Sequence, residues 1–316
     1  MRALLCPASL KGVLEAHAAA AALGRGFRAA GGLADELPVA DGGEGTGAAL
    51  HAALGGEWRE ARVSDPLGRP IDARWLLLPD RRAVVEVAAA IGLPLLAADE
   101  RDPRRASSRG LGELLLAALE SAPASLVVAL GGSATVDGGA GLREVVSSLS
   151  VPMLALCDVE TRLADAARLF GPQKGASPED VAELERRLAE MEELRPFEHL
   201  PGSGAAGGLG AALAALGAEL IPGAAAVLDL VGFDERLARC DLVVTGEGQV
   251  DETTAEGKAP AEVARRAAAA GVRCVVFGGR VRAEVPGTET VALSGAPERA
   301  EEDLVELGRR LASPPG

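Results

Sequence analysis

Leu126-Val127-Val128-Ala129-Leu130-Gly131-Gly132-Ser133 is the stretch that decides the fold. Five apolar residues without polar alternation form a buried strand, and the glycine pair stops it. Working outward, the same alternation of strand and helix recurs. Arg2 to Cys6 is a short apolar strand, and Val13 to Ala30 is an Ala-rich helix ended by Gly31-Gly32. Ala34 to Val39 is a second strand, followed by the loop Ala40–Gly45 and a helix to about Leu54. Met153 to Cys157, Leu242 to Thr245 and Val272 to Phe277 are further strands. Helices cover Ala205 to Leu216, begin near Pro260, and close the chain at Glu301 to Leu311. Ser177-Pro178-Glu179-Asp180 opens another with a cap, a first-turn proline and an acidic third position, and Val181, Leu184, Leu188 and Met191 make its apolar face. Trp58 to Val87 differs: short β-like runs with turns at Asp65-Pro66 and Pro79-Asp80 predict a mixed or antiparallel patch. The whole reads as an α/β protein with a largely parallel sheet.

The chain has 316 residues, enough for about two domains. Its net charge of −14 argues against nucleic-acid and anionic-membrane partners, so attraction of an anionic substrate must be local. No apolar run reaches the ~18 residues of a membrane span, and the N-terminal apolar stretch is too short for a signal peptide. Cys6, Cys157, Cys240 and Cys274 are far apart and form no C-x-x-C pair. They are expected to be reduced and mostly buried, in a cytoplasmic protein.

Lysine occurs only at positions 11, 174 and 258, each directly beside a glycine. Lysine kept where arginine has replaced it elsewhere suits a compact positive charge on a phosphate. Four Gly-rich elements accompany these lysines: Ala40–Thr46, Gly131–Gly139, Pro201–Gly208 and Thr245–Asp251. Glycines at strand-to-helix turns let backbone N–H groups approach an anion. Asp41, Asp137 and Asp251 lie in or beside three of these loops, as a Mg²⁺-nucleotide site requires. A Walker A loop is excluded, because Glu252 stands at the first glycine position and Ala259 follows Lys258. Gly202, Gly204 and Gly207 spell G-x-G-x-x-G, but Arg195 to Pro201 before them is a poor strand.

These stretches resemble the bacterial-type (class I) glycerate kinases. Cys6–Gly12 is similar to P-D-S-F-K-G with its preceding residue, Ala40–Thr46 to A-D-G-G-E-G-T, and Val85–Leu93 to I-E-M-A-x-A-S-G-L. Gly131–Gly141 is similar to G-G-S-A-T-x-D-G-G-x-G, Phe170–Ala176 to F-G-P-Q-K-G-A, Pro201–Gly208 to P-G-x-G-A-A-G-G, and Thr245–Asp251 to T-G-E-G-x-x-D, with Gly257-Lys258-Ala259-Pro260 following. The chain departs from that pattern at Ala8 (Asp in the family), at Glu160–Leu163 after Asp158-Val159, at Thr253, and in a shorter segment between Leu142 and Pro152.

The resemblance implies two α/β domains with a cleft between them. One is flavodoxin-like, at residues 1–64 plus 232–316, and one is a mixed α/β insertion at 65–231. It implies transfer of the ATP γ-phosphoryl group to a hydroxyl of D-glycerate, with 2-phosphoglycerate favoured over 3-phosphoglycerate. Asp41 would be the base, or Glu44 on the same loop, with Lys11 and Lys174 neutralising charge. Asp137 and Asp251 would hold Mg²⁺. Gly131, Gly132, Ser133, Thr135, Gly204, Gly207, Gly208, Gly246, Glu247, Gly248 and Lys258 would hold the nucleotide, and Ser9, Gly42, Gly43 and Arg109 the acid. Two other readings stay open: a sensor that binds these ligands without turnover, motivated by Ala8, and an NAD-linked hydroxy-acid oxidoreductase, resting on Gly202–Gly207. The oligomeric state is not readable.

Overall fold

The computed structural model describes residues 1–252, 254 and 258–312. Thr253 and Gly257, and residues 313–316, lie outside the described residues. Among those described, eleven strands occur: β1 Arg2–Pro7, β2 Leu33–Glu36, β3 Glu57–Ser64, β4 Pro70–Leu77, β5 Arg82–Glu86, β6 Ser125–Ala129, β7 Met153–Cys157, β8 Glu219–Pro222, β9 Leu242–Val250, β10 Arg273–Val281 and β11 Glu289–Ala292. They form one sheet in each of two compact units. The first unit is Met1–Asp41, Ala48–Leu54 and Ala224–Gly316; the second is Gly42–Gly47 and Gly55–Gly223.

The first unit's sheet has the order β2-β1-β9-β10-β11, and every pairing is parallel. Counted within the unit this is 2-1-3-4-5, the flavodoxin-like order, with its switch point between β1 and β9. The reason is visible in β1, where Ala3 to Cys6 are fully buried, as a strand covered by helices on both faces must be. Helix Ala16–Ala29 packs on helix Ala300–Ala312 around Leu23, Phe27, Leu304 and Leu307. A Cβ on Gly26 would sit 1.9 Å from the Val305 carbonyl, and one on Gly308 2.3 Å from that of Leu23. These two glycines are what let the backbones come so close.

One expectation changes here. The strand predicted to stop at Thr245 runs on to Val250, paired with β10 as far as Val281. Its glycines therefore belong to a strand and not to a turn. A Cβ on Gly246 would lie 2.2 Å from the Phe277 carbonyl and 2.6 Å from the Phe277 ring, so close packing explains that glycine.

The second unit's sheet has the order β3-β4-β5-β6-β7-β8. The β3–β4 and β4–β5 pairs are antiparallel and the rest parallel. The antiparallel part is the patch expected from Trp58 to Val87. β3, which the sequence reading kept with the first domain, pairs along its whole length with β4 and so stands in the second unit. The stretch quoted first is its buried centre: Leu126 to Leu130 have no exposure. Helix Pro178–Ala189 begins with the expected reciprocal cap. Ser177 Oγ accepts from the Asp180 amide at 3.2 Å, and the Asp180 carboxylate accepts from the Ser177 amide at 2.9 Å. Cys6, Cys157 and Cys274 are buried free thiols and Cys240 is half-buried. Among the described residues no helix is long and apolar enough to cross a membrane.

Candidate active site

In an open parallel sheet, ligands bind beyond the carboxyl ends of the strands. The first unit has a pocket of ≈ 400 Å³ there. β1 leads into Ser9, Leu10 and Lys11; Asp41 follows β2; β9 carries Glu247, Gly248 and Gln249 at its end, with Asp251 just beyond; β10 contributes Gly279 and Arg280; Leu293 to Pro297 follow β11. Lys258, the N-cap of helix Ala259–Ala269, also lines it. The pocket thus brings together Ser9, Lys11, Asp41, Glu247, Gly248, Asp251 and Lys258 of the residues singled out in sequence. It adds Gln249 and Arg280, which sequence reasoning missed. Arg280 is one of many arginines and carries no local motif; only the parallel register of β10 beside β9, with Arg280 opposite Gln249, brings it here.

The charges are organised. Lys258 Nζ lies 3.7 Å from Glu247 Oε2, and the buried Thr254 hydroxyl donates to Glu247 Oε1 at 2.7 Å. Burial raises the Glu247 carboxyl above its ordinary range, and the neighbouring Asp41 and Asp251 charges add to this, while Thr254 and Lys258 oppose it. Asp251 accepts from the Gln249 amide at 2.7 Å, and its own backbone N–H donates to Thr254 Oγ1 at 3.1 Å. Three cationic and four acidic side chains (Asp41, Glu247, Asp251 and Asp303), with Gln249, therefore line one cavity. Asp41, Glu247 and Asp251 are hard oxygen donors of the kind Mg²⁺ takes. Among the described residues no three His, Cys, Asp or Glu side chains converge tightly enough to hold a metal alone. The donor set fits an ion that brings phosphate oxygens with it, since Mg²⁺ is usually held by one or two carboxylates plus phosphate.

The second unit treats its motif residues differently. Asp137 accepts from Ser108 N at 2.8 Å, Ser108 Oγ at 2.7 Å, Gly139 N at 3.1 Å and Gly141 N at 3.2 Å. Both oxygens are engaged in pinning the start of helix Arg109–Glu120 to its own loop. Lys174 is buried, and its ammonium donates to Ser133 Oγ at 2.9 Å and to the Thr135 carbonyl at 2.8 Å. Burial lowers its pKa to about 7, against the pull of Asp158 and Asp137. The Thr135 hydroxyl is buried with no hydrogen-bond partner among the described residues. Gly131 is buried, and a Cβ there would lie 2.5 Å from Gly43 Cα; Gly132 is exposed at φ +82°.

Gly204, Gly207 and Gly208 are fully packed inside the unit. Ala206, Gly207 and Gly208 form a left-handed run at the head of helix Ala205–Ala215. A Cβ on Gly207 would come within 2.1 Å of the Thr135 carbonyl, and the Gly207 carbonyl accepts from Gly138 N at 3.1 Å. These glycines seat one loop on another. A turn of 3₁₀ helix, Glu192–Phe197, precedes Gly202 where a dinucleotide fingerprint needs a strand, so that reading is dropped.

Gly42 is buried against Gly223 and Leu156, and its carbonyl accepts from Gly131 N at 3.3 Å. The buried Gly43 carbonyl accepts from Thr46 Oγ1 at 2.7 Å, and Glu44 is exposed. Glu86, which carried no role in the sequence reading, accepts from Gly47 N at 2.6 Å and from the Gly45 amide. Burial raises its pKa. Its signal was a carboxylate at the end of the apolar run Val84-Val85-Glu86-Val87. Arg109, expected to hold an acid, is about half exposed and paired with Glu113 at 3.0 Å and Glu144 at 3.3 Å.

The model of the glycerate kinase family matches residues 3–147 and 143–302. A glycerate 2-kinase of Escherichia coli K12 is 40% identical, over 84% of this chain and 81% of that one. A glycerate kinase of Bacillus subtilis 168 is 35% identical over 99% and 97%. A crystal structure assigned as a glycerate kinase 2 of Salmonella typhimurium LT2 superposes with a TM-score of 0.86 at 33% identity, covering 99% of this chain and 97% of that chain.

Proposed function

This chain belongs to the glycerate kinase family and is a kinase, and on that premise we propose that it moves the γ-phosphoryl group of ATP onto the 2-hydroxyl of D-glycerate. The observation that carries the reading is the first-unit pocket, where residues of four separate motifs, Lys11, Asp41, Glu247 with Asp251, and Lys258, line one cavity. Phosphoryl transfer asks a protein chiefly for positioning and charge stabilisation, and this lining supplies both. Asp41 takes the proton from the attacking hydroxyl. Lys11 and Lys258 balance the negative charge of the acid and of the transferring group. Glu247 and Asp251 are the carboxylates that would hold Mg²⁺. That ion would neutralise phosphate charge. The choice of the 2-hydroxyl follows the name of the Escherichia coli relative. Net charge of −14 disfavours a nucleic-acid partner, and we take the reaction to run in the cytoplasm. We also take the two units to be the two domains of the protein.

The test is ADP release from the purified protein with Mg-ATP, with and without D-glycerate, followed by NMR of the product. Glycerate-dependent ADP and a 2-phosphorylated product are expected. A melting temperature raised by glycerate without any ADP would replace the kinase with a sensor, and a 3-phosphorylated product would overturn the regiochemistry alone.

A further inference from the structure

The pocket is larger than a three-carbon acid requires. Cavities of roughly 300–1,000 Å³ take ligands of drug size, and this one measures ≈ 400 Å³. Its lining also changes character along the sheet edge. On the side of β2, β1 and β9 stand all the lining's lysines and three of its carboxylates, Asp41, Lys11, Glu247, Asp251 and Lys258, interspersed with Leu10 and Val13. On the side of β11, the lining is Leu293, Ala296, Pro297 and Ala300, with Gly295 opening the loop. Arg280, from β10, lies between the two in the strand order. One polar group interrupts the apolar side. Asp303 lines the pocket there, largely buried; its Oδ2 accepts from Ser294 N and Ser294 Oγ, and its Oδ1 lies 3.7 Å from Arg299 Nη2.

A cavity with a charged side, an apolar side and one oriented acceptor matches a nucleoside phosphate better than it matches glycerate alone. Resting on the kinase reading of this pocket, we propose that its β11 side is the nucleoside subsite. The base packs on Leu293, Ala296, Pro297 and Ala300, and its exocyclic amine donates to Asp303. Arg280 takes phosphate oxygens on the way to Lys11 and Lys258. This moves the nucleotide away from the second unit's glycines, of which Gly204, Gly207 and Gly208 are packed against their own chain.

The experiment measures ADP binding directly by calorimetry, beside steady-state kinetics, in the full-length protein and in Ala296→Trp and Arg280→Gln. Filling the apolar side with Ala296→Trp should weaken ADP binding and raise KM for ATP about tenfold or more, with KM for glycerate within about twofold. Arg280→Gln should weaken ADP by about tenfold without changing the melting temperature. Inosine triphosphate, which lacks the amine, should be used at least about tenfold less well than ATP by the unaltered protein, a comparison that needs no variant to fold. ADP binding indifferent to both substitutions, or an effect on glycerate alone, would overturn the subsite while leaving the kinase reading intact. ADP binding sensitive to Ala296→Trp in a protein that releases no glycerate-dependent ADP would sink the kinase reading and keep the subsite.

Discussion

In the first unit the motif side chains face a pocket, whereas in the second they mostly bond to one another. Asp251 and Asp137 make the contrast plain. Each is an aspartate near a glycine-rich stretch. Asp251 lines a cavity beside Lys258 and Glu247, while Asp137 spends both oxygens on four donors of its own unit. Lys258 and Lys174 repeat the pattern. The first is partly open and 3.7 Å from a carboxylate; the second is sealed under Ser133 and Thr135. A motif can hold reactive groups, or it can hold the backbone that carries them, and the two are indistinguishable until hydrogen-bond partners are known. Alanine substitutions should therefore separate the units by what they damage, turnover in one and stability in the other.

The largest effect should come from Asp41→Asn. Loss of a general base costs about 10²–10⁴-fold, so kcat should fall by about 10³-fold with the melting temperature unchanged. Near-normal turnover would remove Asp41 from the base role and leave the pocket without its proposed proton acceptor. Next comes Asp137→Ala, which should cost about 3 kcal/mol in a urea titration, since it strands four donors that share one charged acceptor. Residual activity should follow the folded fraction; a collapse of kcat in a fully folded variant would break the division between units.

Lys174 gives a pH-dependent test. Its folded pKa is lowered to about 7 from 10.5, so below pH 7 both folded and unfolded chains carry the proton and the full cost of burial is felt. As pH rises from 7 towards 10.5 only the unfolded chain still gains by protonation, and that gain shrinks, so the folded state becomes relatively more stable. Measured against Lys174→Met, the natural protein should improve between pH 6.5 and 9.5, by something on the order of 3 kcal/mol. A flat difference would mean that the ammonium is not buried as described. The smallest effect belongs to Arg109→Ala. An exposed arginine already paired with two carboxylates on its own unit should change KM for glycerate by less than about twofold. A tenfold rise would return it to the acid-binding set.

Much of this was legible along the chain. The apolar run Leu126–Leu130, the cap at Ser177 and Asp180, and the antiparallel patch after Trp58 are local patterns, and each formed where it was read. The end of β9 was misread because glycine signals turns in sequence. Here it serves close contact with Phe277, a residue 31 positions from Gly246 on the neighbouring strand β10. Glu86 and Arg280 were missed for a related reason. One is recognisable only by the amides it accepts from, the other only by the strand it lies beside.

By itself the sequence determined the α/β alternation and the glycine-rich motifs, and it singled out Lys11, Asp41, Glu247, Asp251 and Lys258, which the fold brings to one pocket. Periodicity, capping and turn chemistry act over a few residues, so they can be read one segment at a time. Only the tertiary structure decided which of the conspicuous polar residues face a cavity. The partner of Lys174 is 41 positions away in Ser133, and that of Asp137 is 29 away in Ser108. A hydrogen bond across such a separation is chosen by the packing of whole elements, and no local pattern encodes it.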